Sequence, residues 1–317
     1  MRRLIQNQIE YFLFRCLLLF ARSLSFRATH RVGTLLGSLA FATGFRKRVT
    51  LDNLGHAFPE STPEEIRTIA HGAYENYAIS LVHMLWASGQ SESMLKSKIN
   101  PTSLDTFRAI VDRGKGAVLL SAHFGSWELI PHSVRLFLEH PLVMIVQRQR
   151  NGRIDAVVDS IRKQHGNSTV PMGPSSRGLL TALREKKIVL ILGDQSGPKE
   201  SPFINFFKRP AATHRGAAAL CLKTDAPLIF LILIRVENRT FDLHYEEVDR
   251  SGLEGYTEEN VTELTRRHTA LLEEQIRRHP EQWLWMHKRW KHTEYYRKRN
   301  ETNEGAIPVE SSDGERV

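Results

Sequence analysis

A histidine and a glutamate five residues apart, His123 and Glu128, are the pair in this chain best suited by type and spacing to move a proton. They close the run His123-Phe124-Gly125-Ser126-Trp127-Glu128, which follows the apolar stretch Gly116-Ala117-Val118-Leu119-Leu120. The length of that stretch and its bounding glycine read as a short interior strand. A new apolar periodicity starts at Trp127, so Gly125-Ser126 reads as a tight turn and helix N-cap. The histidine then sits at the carboxyl end of a strand, the edge where open α/β sheets bind ligands, and the carboxylate falls in the first turn of the next helix. Reaching back, Glu128 would hold one imidazole nitrogen and leave the other as an acceptor, the tautomer a general base needs. The plainer alternative is a histidine merely satisfied by a local carboxylate. A metal site is the weaker reading: there is no His-Glu-x-x-His pattern and no third ligand at suitable spacing nearby, so none is expected.

The elements that must position this pair alternate. Strands read near 116–122, 142–147, 188–193, 227–236 and 240–248, and helices near 103–113, 127–138, 151–165, 175–186, 211–224 and 257–278. That alternation predicts an α/β fold with a mixed central sheet flanked by helices. Only Glu237-Asn238-Arg239 separates the last two strands, short enough for an antiparallel hairpin. Upstream, Thr62-Pro63-Glu64-Glu65 is a capping box with proline at N1 and opens a long helix to about Trp86.

The chain begins with Met1-Arg2-Arg3 and a strongly apolar segment, Leu4 to Phe26, interrupted by Glu10, Arg15 and Arg22. It falls short of the roughly 20 apolar residues of a clean span, and no small-residue cleavage site follows. It reads as a membrane-anchoring helix, tilted in one leaflet or marginally spanning, with core packing as the alternative. Val32 to Phe45 is uncharged but too short to span. The expected division is an anchor over 1–28, a catalytic domain over 29–299 and a polar disordered tail over 300–317.

Composition narrows the partners. The 317 residues carry a net charge of +9, which favours an anionic partner. Nucleic acid, anionic lipid and an acidic carrier protein are the candidates, beside an unspecific solvated basic surface. No nucleic-acid motif appears, and basic residues cluster with aromatics near the carboxyl end, beside an apolar amino end, so a membrane surface is favoured. The two cysteines, Cys16 and Cys221, lie far apart in apolar contexts and make no disulfide framework.

Several blocks occur in order: Arg48 to Leu54 with Ala57-Phe58-Pro59; His123 to Glu128; Arg148-Gln149-Arg150-Asn151; Gly193-Asp194-Gln195; Phe206 to Thr213 with Gly216-Ala217-Ala218; and Pro280 to Lys291. In order and spacing they resemble the lipid A biosynthesis acyltransferases, the late lauroyl and myristoyl transferases whose His-x4-Glu motif belongs to the glycerolipid acyltransferase type. Ser126 stands where that family commonly has asparagine, and His287-Lys288-Arg289 where His-Arg-Arg is commoner.

The resemblance implies a glycerolipid-acyltransferase-like fold and a cofactor-free O-acyltransferase. The donor would be an acyl carrier protein thioester. The acceptor would be an anionic glycolipid, a phosphorylated lipid A precursor bearing sugar acids, in lipopolysaccharide biosynthesis. The same machinery would also suit a phosphatidylinositol mannoside, an ornithine lipid or a lysophosphatidic acid. The expected location is the bacterial inner membrane, with the catalytic domain on the cytoplasmic side.

For acyl transfer, His123 would be the base and Glu128 its orienting group. Backbone N–H groups at Gly125-Ser126 would hold part of the oxyanion, and Arg148 the rest, or a phosphate. Asp194 would orient Arg148 or, with Gln195, contact the acceptor. Trp283 to Lys291 suits lipid headgroups, with Lys288, Arg289 and Lys291 pairing with phosphates or sugar acids. No nucleophile elbow surrounds Ser126, so direct attack by the acceptor hydroxyl is simpler than an acyl-enzyme.

Overall fold

The computed structural model describes residues 2–101, 104–173, 176–236 and 240–304. Five helices come first: α1 (Arg2–Ser23), α2 (Phe26–Ala42), α3 (Lys47–Ala57), α4 (Pro63–Ala87) and α5 (Glu92–Lys96). The capping box starts α4 as its sequence requires: the Thr62 hydroxyl accepts from the Glu65 N–H and Glu65 accepts from the Thr62 N–H. Helix α2 lies directly on α4 because Gly33 and Gly37, one turn apart, remove the side chains between them. A Cβ at these positions would fall 2.6 Å from the Ile79 Cα and 2.4 Å from the Glu75 Cα.

The α/β part follows as β1 (Ile99–Pro101), α6 (Leu104–Val111), β2 (Ala117–Ser121), α7 (Ile130–Leu138), β3 (Leu142–Val146), α8 (Gly152–Arg162), β4 (Ser168–Pro171), α9 (Ser176–Arg184) and β5 (Ile188–Leu192). Then come β6 (Phe203–Phe206), β7 (Arg209–Ala212), α10 (Gly216–Thr224), β8 (Leu228–Arg235), β9 (Phe241–Glu247), α11 (Glu258–Arg278) and α12 (Thr293–Glu304).

Among the described residues, seven strands form one mixed sheet in the order β1-β9-β8-β2-β5-β3-β4, parallel throughout except for the antiparallel pair β8–β9. Strand β2 is central and wholly buried. Its side chains alternate between two apolar layers. Val118 and Leu120 pack toward the layer holding Leu179, Leu220 and Leu264, from α9, α10 and α11. Ala117 and Leu119 face the layer holding Phe107, Ile130 and Trp86.

Differences from the sequence reading have local causes. The helix expected from 211 begins at Gly216, because Ala211 and Ala212 still belong to the hairpin β6–β7, which turns at Phe207-Lys208 with both residues left-handed (φ 51° and 58°). Two central residues at positive φ are the signature of a tight hairpin turn. Strands β1 and β4 are three and four residues long, too short to leave a periodicity. Helix α12 continues to Glu304, into the stretch expected as tail; residues 305–317 lie outside the described residues, as does the 237–239 turn of the β8–β9 hairpin. Among the described residues, no helix is long and apolar enough to cross a membrane, and the membrane anchor expected over 1–28 is not confirmed by the fold.

Candidate active site

Strand register builds the site. Parallel β2 and β5 pair Ser121 with Leu192. Two residues beyond each partner, the chain reaches His123 and Asp194, so the register places them side by side. The His123 Nδ1 lies 2.8 Å from Asp194 Oδ1, and the His123 N–H donates to Oδ2 at 3.0 Å. Trp283 Nε1 donates to the same Oδ2 at 3.0 Å. A carboxylate only accepts, so Nδ1 carries the proton and Nε2 is left as acceptor. Asp194 is 4% exposed. Burial alone would raise its pKa, but His123 and the three donated hydrogen bonds hold it below the usual carboxylate range. For His123, burial opposes the imidazolium; the Asp194 carboxylate, aided by Glu128, outweighs it and lifts the pKa above the usual histidine value.

Glu128 is not the group on the imidazole. The stretch Trp127–Leu129 is a single 3-10 turn, and it turns the Glu128 carboxylate to Arg162, at the end of α8. Arg162 Nη2 and Nε donate to its two oxygens at 2.7 and 3.3 Å. The pair is largely buried, and although burial opposes the charge, Glu128 holds the Arg162 pKa above its usual value.

The turn between His123 and Glu128 is fixed by backbone. Gly125 adopts φ 55°, and a Cβ there would lie 1.9 Å from the Leu233 carbonyl oxygen, so only glycine fits. The Gly125 N–H donates to the Gln282 carbonyl at 2.9 Å and the Ser126 N–H to the Leu233 carbonyl at 3.1 Å. Both donors expected for an oxyanion are therefore already used. The Ser126 side chain caps no helix; its Oγ lies 3.3 Å from buried His83 Nδ1.

His123, Glu128 and Arg162 line a cavity of about 170 Å³, together with Trp127, Gln147, Gln195 and His214. A second, more apolar cavity of about 330 Å³ adjoins it, lined by Leu120, Leu179, Leu180, Ile191 and Leu220 among others; Ile145, Met172, Leu192 and His214 face both. The arrangement offers a proton acceptor, a fixed ion pair and an apolar slot at one sheet edge.

Residues 2–292 match the model of the bacterial lipid A biosynthesis acyltransferases. The chain belongs to this family. It is therefore an acyltransferase. Similar curated proteins include a lipid A biosynthesis palmitoleoyltransferase of Escherichia coli strain K12, 26% identical over 82% of this chain and 84% of its own. A lauroyltransferase of the same strain is 23% identical over 84% of this chain and 87% of its own. A lipid A biosynthesis acyltransferase of Shigella flexneri is 26% identical over 82% of this chain and 84% of its own.

Within this acyltransferase, the remaining sequence candidates separate. Gln195 lines the cavity beside His123. Asp194 serves His123 and Trp283 and makes no bond to Arg148, which is exposed beyond β3 and outside the lining. Lys288 and Lys291 are exposed. Arg289 is 1% exposed and donates at 2.7 Å to both the Ala212 carbonyl and the Thr213 hydroxyl. Burial lowers its pKa to about 10. It is thus an internal tie that no headgroup reaches. Trp283, Trp285 and Trp290 are likewise buried. The closing block forms a wall behind His123 and Asp194, outside the linings of both cavities, and earlier helices hold it there. Asn53 Nδ2 donates to the Trp285 and His287 carbonyls, both at 2.8 Å. Asn76 Nδ2 donates to the Gly125 and Gln282 carbonyls at 3.2 and 3.0 Å. Arg162 escaped the sequence reading because an arginine closing a helix is ordinary; nothing in its spacing points at Glu128.

Proposed function

We propose that this protein transfers a fatty acyl group from a thioester on acyl carrier protein to a hydroxyl of a lipid A precursor. The observation that carries the reading is the His123 imidazole, oriented by Asp194 through Nδ1 at the mouth of two adjoining cavities, one of them apolar. Nε2 takes the hydroxyl proton as the oxygen attacks the thioester carbonyl. The tetrahedral oxyanion collapses, the C–S bond breaks, and the thiolate leaves with the proton that the imidazolium returns. Gln195 and Arg162 line the same cavity and are the side chains suited to donate to the oxyanion. Glu128, held by Arg162, favours the transient imidazolium through its charge. Direct attack is supported because Ser126 Oγ is engaged toward His83, away from the base. The apolar cavity takes the acyl chain, and the exposed Arg148 and Lys288 remain for the acceptor's anionic groups.

The same proposal places the protein on the cytoplasmic face of the bacterial inner membrane, lying on it through α1 and α2. Leu4, Phe12, Leu13 and Phe20 on α1, and Leu35 and Leu39 on α2, are each half or more exposed, and these are the apolar side chains that would enter the membrane interface. The test is mass spectrometry of lipid A from cells with and without the protein, paired with acyl transfer by purified wild type and His123→Ala. Loss of one acyl chain from lipid A, and a drop of about 10²–10⁴-fold in a folded variant, are expected. An unchanged lipid A profile overturns the acceptor; near-normal turnover by the variant overturns the mechanism.

A further inference from the structure

A cavity apart from the chemistry lies between α1 and α8, with a volume of about 500 Å³. Tyr11, Arg15, Leu18 and Arg22 recur along α1 at helical spacing and line one wall. The other wall comes from α8 and the residues just after it, where Arg153 supplies the charge. Three arginines therefore line one space, and among the described residues no carboxylate lines it. Glu10, the acidic side chain of α1 nearest in sequence, is bound instead by Arg150 and Asn151, outside the lining. Arg22 is tied to the Ser88 hydroxyl at 2.9 Å, which fixes one guanidinium in place. Among the described residues Arg15 has no ion-pair or hydrogen-bond partner, and the Arg153 side chain meets only the face of Tyr11. Converging arginines without a counter-charge raise the local potential and suit an anion with several acceptor oxygens.

Position says which anion. Arg15 sits three residues after Phe12 and four before Leu19, both on the exposed apolar face of α1. The cavity thus opens along the margin of the membrane-facing surface proposed for α1, at the depth where headgroups lie.

We infer that the α1–α8 cavity is a phosphate-binding site, filled by the phosphodiester headgroup of an anionic membrane lipid. It is separate from the acyl acceptor's site: Arg153 and Ile161 face the cavity while Arg162, on the same helix, faces Glu128. Occupancy clamps α1 to α8 and so couples the membrane surface to the helix that carries Arg162. The inference rests on the reading of α1 as membrane-facing.

The experiment is flotation of the full-length protein with vesicles of phosphatidylcholine, with and without phosphatidylglycerol. It compares wild type, Arg15→Gln/Arg153→Gln, and the charge-matched Arg27→Gln/Arg31→Gln, whose arginines lie on α2 outside the cavity. Phosphatidylglycerol is expected to strengthen wild-type binding; the α2 variant should lose at most the roughly 25-fold that two diffuse surface charges contribute, and the cavity variant clearly more. Binding to neutral vesicles should be equal in all three; if wild type fails to bind them, the membrane-facing reading of α1 falls by itself. Equal losses in both variants mean diffuse surface charge and overturn the site. Inorganic phosphate is the other arm. If millimolar phosphate raises the melting temperature of wild type but not of the cavity variant, while phosphatidylglycerol adds nothing to binding, the site takes soluble phosphate and the lipid assignment is overturned.

Discussion

At the scale of single residues, the base and its orienting group come from different strands. His123 and Glu128 share a motif, yet the hydrogen bond to the ring comes from Asp194, seventy-one positions away. That division predicts different fates for the two carboxylates. In Asp194→Asn the ring loses its charged partner, which is the main force raising the His123 pKa against burial. The base works only when neutral, so wild-type kcat/KM should fall as pH drops through a pKa above the usual histidine value. Asp194→Asn should move that acid limb to lower pH while cutting the plateau by about 10²–10⁴-fold, the scale seen when a histidine's aspartate partner is lost. A pH–rate profile checks both; an unmoved limb would show that Asp194 does not set the ring's titration. Glu128→Gln should shift the limb the same way but less, since its charge acts without a bond to the ring. It should lower kcat more than it raises KM, and an effect confined to KM would make Glu128 a binding contact instead.

At the scale of elements, the turn after β2 is built by three neighbours at once. Strand β8 receives the Ser126 N–H, the closing segment receives the Gly125 N–H, and α4 reaches both the turn and the closing segment through Asn76. Gly125→Ala would force a Cβ into the Leu233 carbonyl at a positive φ. The expected cost is on the order of 3 kcal/mol, seen as a lower denaturant midpoint, together with lost turnover as His123 shifts. Full stability with alanine at 125 would mean the backbone here is not constrained. Asn53→Ala should loosen the closing wall by removing the donor of two carbonyls, at about 1–3 kcal/mol for the buried groups left unpaired. Because Trp283 in that wall also holds Asp194, activity should fall with stability.

At the scale of the whole molecule, apolar surface and charge sit together at one end of the chain. Deleting residues 1–23 removes α1 with its exposed leucines and phenylalanines and uncovers its contacts with α4 and α8, Met84, Leu85 and Val158 among them. The truncated protein should leave the membrane fraction for the soluble fraction or for aggregates, as fractionation would report; unchanged membrane recovery would assign attachment to α2 or to another surface. With a net charge of +9 and an acidic carrier protein as proposed donor, kcat/KM for the donor should fall steeply with ionic strength while kcat holds. A salt-independent kcat/KM would argue against a strongly charged donor.

Residue order alone determined much of this protein. The alternation of apolar runs and amphipathic stretches specified an α/β fold, and the five longer strands and most of their flanking helices lie where periodicity puts them, because that signal is local to each segment. The capping box of α4 is local too, as is the strand-end position of His123. Tertiary structure decided what depends on register and closure. The choice of Asp194 over Glu128 follows from the Ser121–Leu192 pairing of β2 with β5, and the spacing within either strand says nothing of which strand lies beside it. Arg162, Trp283 and Arg289 took their roles the same way. A charged or aromatic side chain reads identically in sequence whether it meets solvent, a headgroup or a buried partner. Only the packing of α8 and of the closing segment against the sheet made Arg162 the partner of Glu128, Trp283 a donor to Asp194, and Arg289 an internal tie.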